Sequence, residues 1–171
     1  MSSYHVRTAQ LTDAPAVAAL HELSSTATYK GLFEDLPKAM PMQERTAYWR
    51  DAITYGEPQV QVVVSGEEIV GFVGFDRSRD PKTKPTVGEI WAIYVHPEHW
   101  GRGAGLALWD AAREGLLDEE CQQVTIWIPL RNERALRFHE LAGFKRELTT
   151  ARTAVVGGIK IEEIRLKRAL D

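Results

Sequence analysis

Apolar residues recur along this chain at two spacings: every third or fourth position in some stretches, every second position or in unbroken runs in others. The first is the period of a helix with one buried face, and the second that of a strand. Residues 4–8 read as a short strand. Thr12 is placed to cap a helix that tolerates Pro15 in its first turn, with Ala16, Val17, Ala19, Leu20 and Leu23 as its apolar side. The next stretch, TYKGLFEDLPKAMPM, is interrupted by Gly31, Pro37 and Pro41 and is predicted as loop or short helical turns. A second helix is expected over 42–53, then strands over 60–64 and 69–75 joined by the hairpin-type turn SGEE.

A polar loop, DRSRDPKTKP, leads to VGEIWAIYV at 87–95, which is apolar on both faces and therefore reads as a central strand. A helix over 103–117 follows, with Gly105, Leu108, Trp109, Ala112 and Leu116 along one side, and then the buried strand VTIWI. Asn132 opens a further helix that carries Ala135, Phe138 and Ala142 inward and is stopped by Gly143. The tail folds back as two strands around Gly157-Gly158. The order β-α-α-β-β-β-α-β-α-β-β predicts one mixed α/β domain over 1–171.

Composition narrows the partners. At 171 residues the chain is long enough for a real core, and a net charge of −3 with no basic stripe gives a polyanion nothing to bind. One cysteine, Cys121, excludes an internal disulfide and fits a reducing compartment. The first fifteen residues have no apolar signal core, and no stretch approaches the ~20 apolar residues of a membrane span. The expectation is a soluble cytoplasmic protein with no nucleic-acid or membrane partner, and with a homodimer as a candidate assembly.

Within HPEHWGRGAGLALWDAARE, Gly101, Gly103 and Gly105 fall in five positions where a strand hands over to a helix. Glycine is entropically costly in ordered backbone, so the cluster points to a backbone that must approach something closely. The free N–H groups of a helix start, preceded by glycines, form a concave anion site suited to a pyrophosphate. The spacing GxxxxGK[ST] of a P-loop is absent, and GxGxxG directly after a strand fails because HPEHW intervenes and Leu106 and Leu108 stand near the third glycine. The plainer alternative is a glycine-rich turn without a ligand.

IYVHPEHWGRGAG, then a helix and a strand, then RNERALRFHELAGF, closely resembles the GNAT superfamily of acyl-CoA-dependent N-acyltransferases, over residues 60–144 most clearly. The resemblance implies a mixed α/β domain whose central sheet is largely antiparallel and flanked by helices, with acetyl-CoA as cosubstrate and no metal. It implies that the backbone of Ile93, Tyr94 and Val95 pairs with the pantetheine arm as an added strand. It further implies that the N–H groups of Gly101, Arg102, Gly103, Ala104, Gly105 and Leu106 hold the pyrophosphate, that Asn132 touches the cofactor, and that Phe138 flanks its reactive end. Two positions depart from the family pattern. Trp100 stands where Gln or Arg is usual, and His139 where a tyrosine general acid is common.

An alkyl amine with a pKa of ~10.4 is only roughly 0.1% free base at neutral pH, so a base or a site for the neutral amine is needed. Glu89 matches the position of an acidic base in many family members, and desolvation between Val87 and Trp91 would raise its pKa. The alternative is an exposed or ion-paired glutamate. His139 is either the proton donor to the leaving thiolate or a histidine packed on its helix. His96 and His99 lack the further ligands a metal site requires, and His5 and His21 read as surface or satisfied histidines. Cys121 follows three acids and reads as unreactive, and Trp91, Trp109 and Trp127 read as core. The activity implied is acetyl transfer from acetyl-CoA to a primary amine of a small-molecule or amino-acid-like acceptor by direct attack in a ternary complex. Residues 29–42 and 76–85 resemble the acceptor side, where Glu34 and Asp35 are placed to attract a cation. A peptide N-terminal acetyltransferase or a non-catalytic acyl-CoA-sensing module are the alternatives.

Overall fold

The computed structural model describes residues 3–171, and the strand that is apolar on both faces lies inside its sheet. Met1 and Ser2, which begin the stretch expected to carry no signal core and the 1–171 domain span, lie outside the described residues. The strands are β1 (Tyr4–Thr8), β2 (Gln59–Ser65), β3 (Glu68–Arg77), β4 (Val87–Val95), β5 (Gln123–Pro129), β6 (Lys145–Arg146), β7 (Arg152–Val156) and β8 (Ile159–Ala169). They form a mixed sheet in the order β1-β2-β3-β4-β5-β8-β6, with β7 on β8. Every pairing is antiparallel except β4 with β5, which helix α3 (Ala104–Asp118) connects as a crossover.

Helices cover both faces. One core layer packs α3 and α4 (Glu133–Leu141) on the sheet through Leu108, Trp109, Ala112, Leu116 and Leu136. The other packs α1 (Ala14–Lys30) and α2 (Met42–Tyr55) through Val17, Leu20, Trp49 and Ala52 against Val60, Val62 and Phe72. No helix of the described residues is long and apolar enough to cross a membrane.

One irregularity shapes the middle of the sheet. Gly74 pairs with Ala92 and Phe75 with Ile90, so Trp91 is an extra residue on β4 with no partner on β3. In a regular strand residues two apart share a face. Here Ile90 joins Ile93 and Val95 on the α3 side, while Ala92 and Tyr94 join the α1–α2 side. A bulge of this kind bends its strand and increases the local twist. On its other edge β4 pairs with β5 only at Val87–Gln123, Gly88–Val124 and Glu89–Thr125, and beyond these the two strands part.

Several expectations need correction. Thr12 lies in a short 3-10 turn and does not cap α1. The Asp13 carboxylate closes that turn, accepting from the Gln10 N–H at 2.7 Å and from Arg7 at 2.7 and 3.1 Å. The buried side of α1 is Ala14, Val17, Ala18, Leu20 and Ser24, whereas Ala16, Ala19 and Leu23 face solvent. Runs of alanine leave the phase of a helix undetermined until a neighbour packs on it. The helix also continues to Lys30, past the predicted start of the loop. Trp109 is core, but Trp91 and Trp127 are half-buried on the wall of a cleft.

Gly115 of α3 gives a test of the packing. A Cβ there would come within 2.5 Å of Cε2 and Cζ of the fully buried Phe75 ring. Helix propensity alone favours Gly→Ala by about 1 kcal/mol, but overpacking costs roughly 1–3 kcal/mol. Gly115→Ala should therefore lower Tm by several degrees in thermal unfolding. An unchanged or higher Tm would show that α3 can lift from β3 at no cost.

Candidate active site

The five residues between strand and glycines form a compact corner. Pro97–His99 make one 3-10 turn, in which the His96 ring accepts from the Glu98 N–H at 3.1 Å. The His99 ring meets the Tyr4 hydroxyl at 2.9 Å, so these two histidines brace the corner. Among the described residues no three His, Cys, Asp or Glu side chains are grouped as metal ligands. The Trp100 indole N–H donates to the Val95 carbonyl at 2.8 Å and fastens the end of β4. Gly101 and Gly103 then adopt φ of 72° and 94°, left-handed values that favour glycine. Gly105 lies in the first turn of α3 beside Phe138, whose ring carbons would be in ordinary contact, 3.4 Å, with a Cβ there.

The first hydrogen bond of α3 runs from the Ala107 N–H to the Gly103 carbonyl at 3.1 Å. The amides of residues 101–106 are therefore uncommitted, at the positive end of the helix dipole. They stand at the mouth of a cleft of about 340 Å³ opened by the parting of β4 and β5. Ile93, Tyr94, Val95, Gly101, Gly105, Asn132, Phe138 and His139 all border this cleft. Arg102, Gly103, Ala104 and Leu106 belong to the turn and the first turn of α3 beside it, and Glu89 is not on the wall. The Asn132 carboxamide oxygen caps α4, accepting from the Ala135 N–H at 3.1 Å.

His139 is 3% exposed between the rings of Phe138 and Phe144. Its Nδ1 lies 2.8 Å from the Ala135 carbonyl oxygen, which can only accept, so Nδ1 carries the proton. Nε2 is then a bare lone pair, enclosed and without a partner among the described residues. Burial pulls the imidazole pKa down to about 4, against the smaller opposing effect of that carbonyl. The ring is neutral at pH 7 and accepts at Nε2.

Glu89 is 2% exposed, as the apolar strand around it requires. Both of its oxygens are engaged: Oε2 by Arg79 Nη2 at 2.7 Å, Oε1 by the Arg79 N–H at 2.9 Å and Nε at 3.3 Å. The Arg79 guanidinium also stacks on Trp91 at 4.3 Å. The ion-paired reading of Glu89 describes this geometry.

Arg134, Ser24 and Thr28 are also on the wall and carried no functional signal in the linear pattern. Arg134 stacks over Trp100 at 3.6 Å beside the glycine turn, and burial lowers its pKa from the usual arginine value. Ser24 reaches the cleft from within α1, and Thr28 and Tyr29 from its last turns, which were read as loop. His21, read as surface or satisfied, accepts from the Trp49 indole N–H at 3.2 Å and stacks on Tyr94 at 5.0 Å. Burial first, and the charge of Arg45 second, pull its pKa down to about 4.

Comparison with known proteins addresses this same architecture. Residues 18–144 match the model of the acetyltransferase (GNAT) family. An uncharacterized N-acetyltransferase of Archaeoglobus fulgidus is 30% identical over 100 residues, covering 58% of this chain and 68% of its own. A mycothiol acetyltransferase of Kocuria rhizophila is 36% identical over 62 residues, 36% of this chain but 20% of that longer protein. The structure of YncA from Salmonella typhimurium with its cofactor acetyl-CoA superposes with a TM-score of 0.75 at 20% identity, covering 99% of this chain and 95% of that one. An N-acetyltransferase from Staphylococcus aureus gives a TM-score of 0.78 at 18% identity, covering 99% and 100%. With the parted strands, the glycine turn and a family match across most of its length, this chain belongs to the acetyltransferase (GNAT) family.

Proposed function

We propose that the protein transfers an acetyl group from acetyl-CoA to the primary amine of a small-molecule or amino-acid-like acceptor, by direct attack in a ternary complex. One observation carries this reading: the cleft between β4 and β5 opens beside six uncommitted amides at the start of α3. A pyrophosphate needs several donors at once, and residues 101–106 with the nearby Arg134 suit it. An extended arm with amide groups can lie along Ile93 and Tyr94 as an added strand, while the Val95 carbonyl stays with Trp100. Acetyl-CoA supplies the acyl group as a thioester already activated toward amines.

The acid–base roles follow from which groups reach the cleft. Its wall includes no Asp or Glu among the described residues, and Ile90, Ile93, Ile126 and Ile128 make it apolar. Desolvation there disfavours an ammonium and favours the neutral, nucleophilic amine. Glu89 acts as the anchor of Arg79 and not as the base. His139, neutral and with its proton committed to Ala135, accepts a ligand hydrogen bond at Nε2 and does not protonate the thiolate. A thiol of pKa ~8.5 gives a thiolate that leaves tolerably without an acid, and the proton lost by the attacking nitrogen as the amide forms passes to that thiolate or to water. Tyr29, whose pKa burial raises first and Glu163 second, stays protonated on the wall as a hydroxyl donor.

Release of free CoA thiol from acetyl-CoA across a panel of primary amines tests the activity. Turnover with at least one amine is expected, whereas acetyl-CoA binding without release would leave an acyl-CoA-sensing module. Acetyl-CoA should raise Tm by mass action, and Gly103→Pro, which cannot adopt φ 94° and lacks an N–H, should abolish that rise. A full rise in a folded Gly103→Pro variant would put the cofactor elsewhere. The pH–rate profile should show no limb near pH 6.5 from His139, because the ring titrates at about 4. Glu89→Gln should lower stability by about 1–2 kcal/mol, discounted because Arg79 is half exposed, and leave the profile's shape unchanged. Loss of an acidic limb in Glu89→Gln would restore Glu89 as the base.

A further inference from the structure

The inner face of α2 holds a charge that the fold does not balance. Arg45 is 8% exposed, one helical turn before the buried Trp49. Its Nε–H is enclosed with no acceptor, and no described residue forms a hydrogen bond or ion pair with its guanidinium. Arginine is almost never buried unless it is paired, because its hydration is lost with nothing in return. Other arginines have an acid beside them: Arg165 lies between Glu147 and Asp80 at 2.7 and 3.0 Å, Arg7 sits on Asp13 at 2.7 Å, and Arg113, whose Nε–H is also enclosed without an acceptor, has the Asp171 carboxylate at 3.9 Å.

Of the groups near Arg45, Tyr94 is on the cleft wall and His21 packs behind it. The Arg45 charge acts on both. His21 is neutral at pH 7 and Tyr94 is held protonated by burial, so neither supplies a counter-charge. One turn beyond His21 on α1, Ser24 is 1% exposed on the same wall, and its hydroxyl has no partner either. The Arg45 Nε–H and the Ser24 hydroxyl, both enclosed and both able to donate, are the complement of a carboxylate. The anion they await is not the cofactor's pyrophosphate, because the amides of 101–106 head α3, in the helix layer on the other face of the sheet.

We propose that the α1–α2 wall receives the carboxylate of the acceptor, with Arg45 as its counter-charge and Ser24 as a hydroxyl donor, so that the acceptor is a free amino acid and not a simple amine or a peptide N-terminus. This rests on the acetyl-transfer reading for the position of the reacting amine. The carboxylate holds the acceptor at the α1–α2 wall while its amine faces the thioester in the gap between β4 and β5.

The test pairs each proteinogenic L-amino acid with its carboxamide and with a short peptide bearing the same N-terminal residue. Thiol release is measured for the wild type, Arg45→Met and Arg45→Lys. In the wild type kcat/KM should favour at least one free acid over its carboxamide by about tenfold or more, mainly through KM. That ratio should fall toward one in Arg45→Met and be partly kept in Arg45→Lys. Equal use of acids, carboxamides and peptides by the wild type, or an undiminished ratio in Arg45→Met, overturns the proposal. Thermal unfolding supplies a readout without turnover. Exchanging an unpaired buried charge for methionine should raise the Tm of Arg45→Met, whereas a marked fall would make Arg45 a structural residue and overturn the proposal. If the wild type releases no thiol with any amine, the acetyl-transfer reading fails. The proposal then stands only if a free amino acid still raises the Tm of the CoA-saturated wild type and not that of Arg45→Met.

Discussion

Trp91 is one residue too many for the ladder between β3 and β4, and the arrangement of the cleft follows from that surplus. The bulge rotates the second half of β4, so that Ile93 and Val95 face α3 while Tyr94 faces α1. It also bends β4 away from β5, which keeps only three residue pairs with it before the two strands separate. Opening a sheet in the middle of a core exposes backbone polar groups that ordinarily must be paired. The gap is therefore a cost to the fold that a fully paired sheet would not carry.

Side chains take over where the backbone ladder stops. The loop between β3 and β4 is strapped across the gap by Asp80, which accepts from the Trp127 indole N–H at 3.0 Å on β5 and from Arg165 at 3.0 Å on β8. Arg79 holds Glu89 from the same loop, and Arg152 covers the outer face of Trp127 at 3.5 Å. On the far side of the cleft, the Gly157 carbonyl accepts the Lys38 N–H at 2.7 Å, pinning the loop after α1 to the β7–β8 hairpin. These groups are mutually satisfied. Against that background four enclosed, unpartnered atoms among the described residues stand out: those of Ser24 and His139 on the cleft wall, that of Arg45 behind it, and that of Arg113 on α3. Buried polar groups without partners are uncommon, and here three of the four gather around the cleft.

Much of this was legible in the linear pattern. The two-faced apolar run at 87–95, the alternation in β2 and β3, the glycine turn and the α4 cap at Asn132 are local signals. Each depends on a backbone period or on a helix end that a few adjacent residues specify. The correspondence of the glycine turn and the RNER segment to the acetyltransferase pattern was likewise readable, because a left-handed turn and a helix cap are each specified by a few adjacent residues. Helix α1 was misphased because Ala16, Ala18 and Ala19 are equally apolar, and only packing on β3 and β4 selects among them.

By itself, then, the sequence determined the element order, the central strand and the glycine turn that heads α3. Tertiary structure alone decided the contacts inside the cleft. Glu89 reads equally as a base or an ion-paired glutamate, and only the fold brings Arg79, ten residues away, onto both its oxygens. His139 reads as a proton donor or a packed histidine, and only burial and the Ala135 carbonyl commit its one proton. Arg45 carries no signal in the linear pattern, and only packing buries it. In each case the property at issue is a protonation state or a missing partner. Those are set by the field and solvent exclusion of groups brought together from distant parts of the chain, on which local periodicity carries no information.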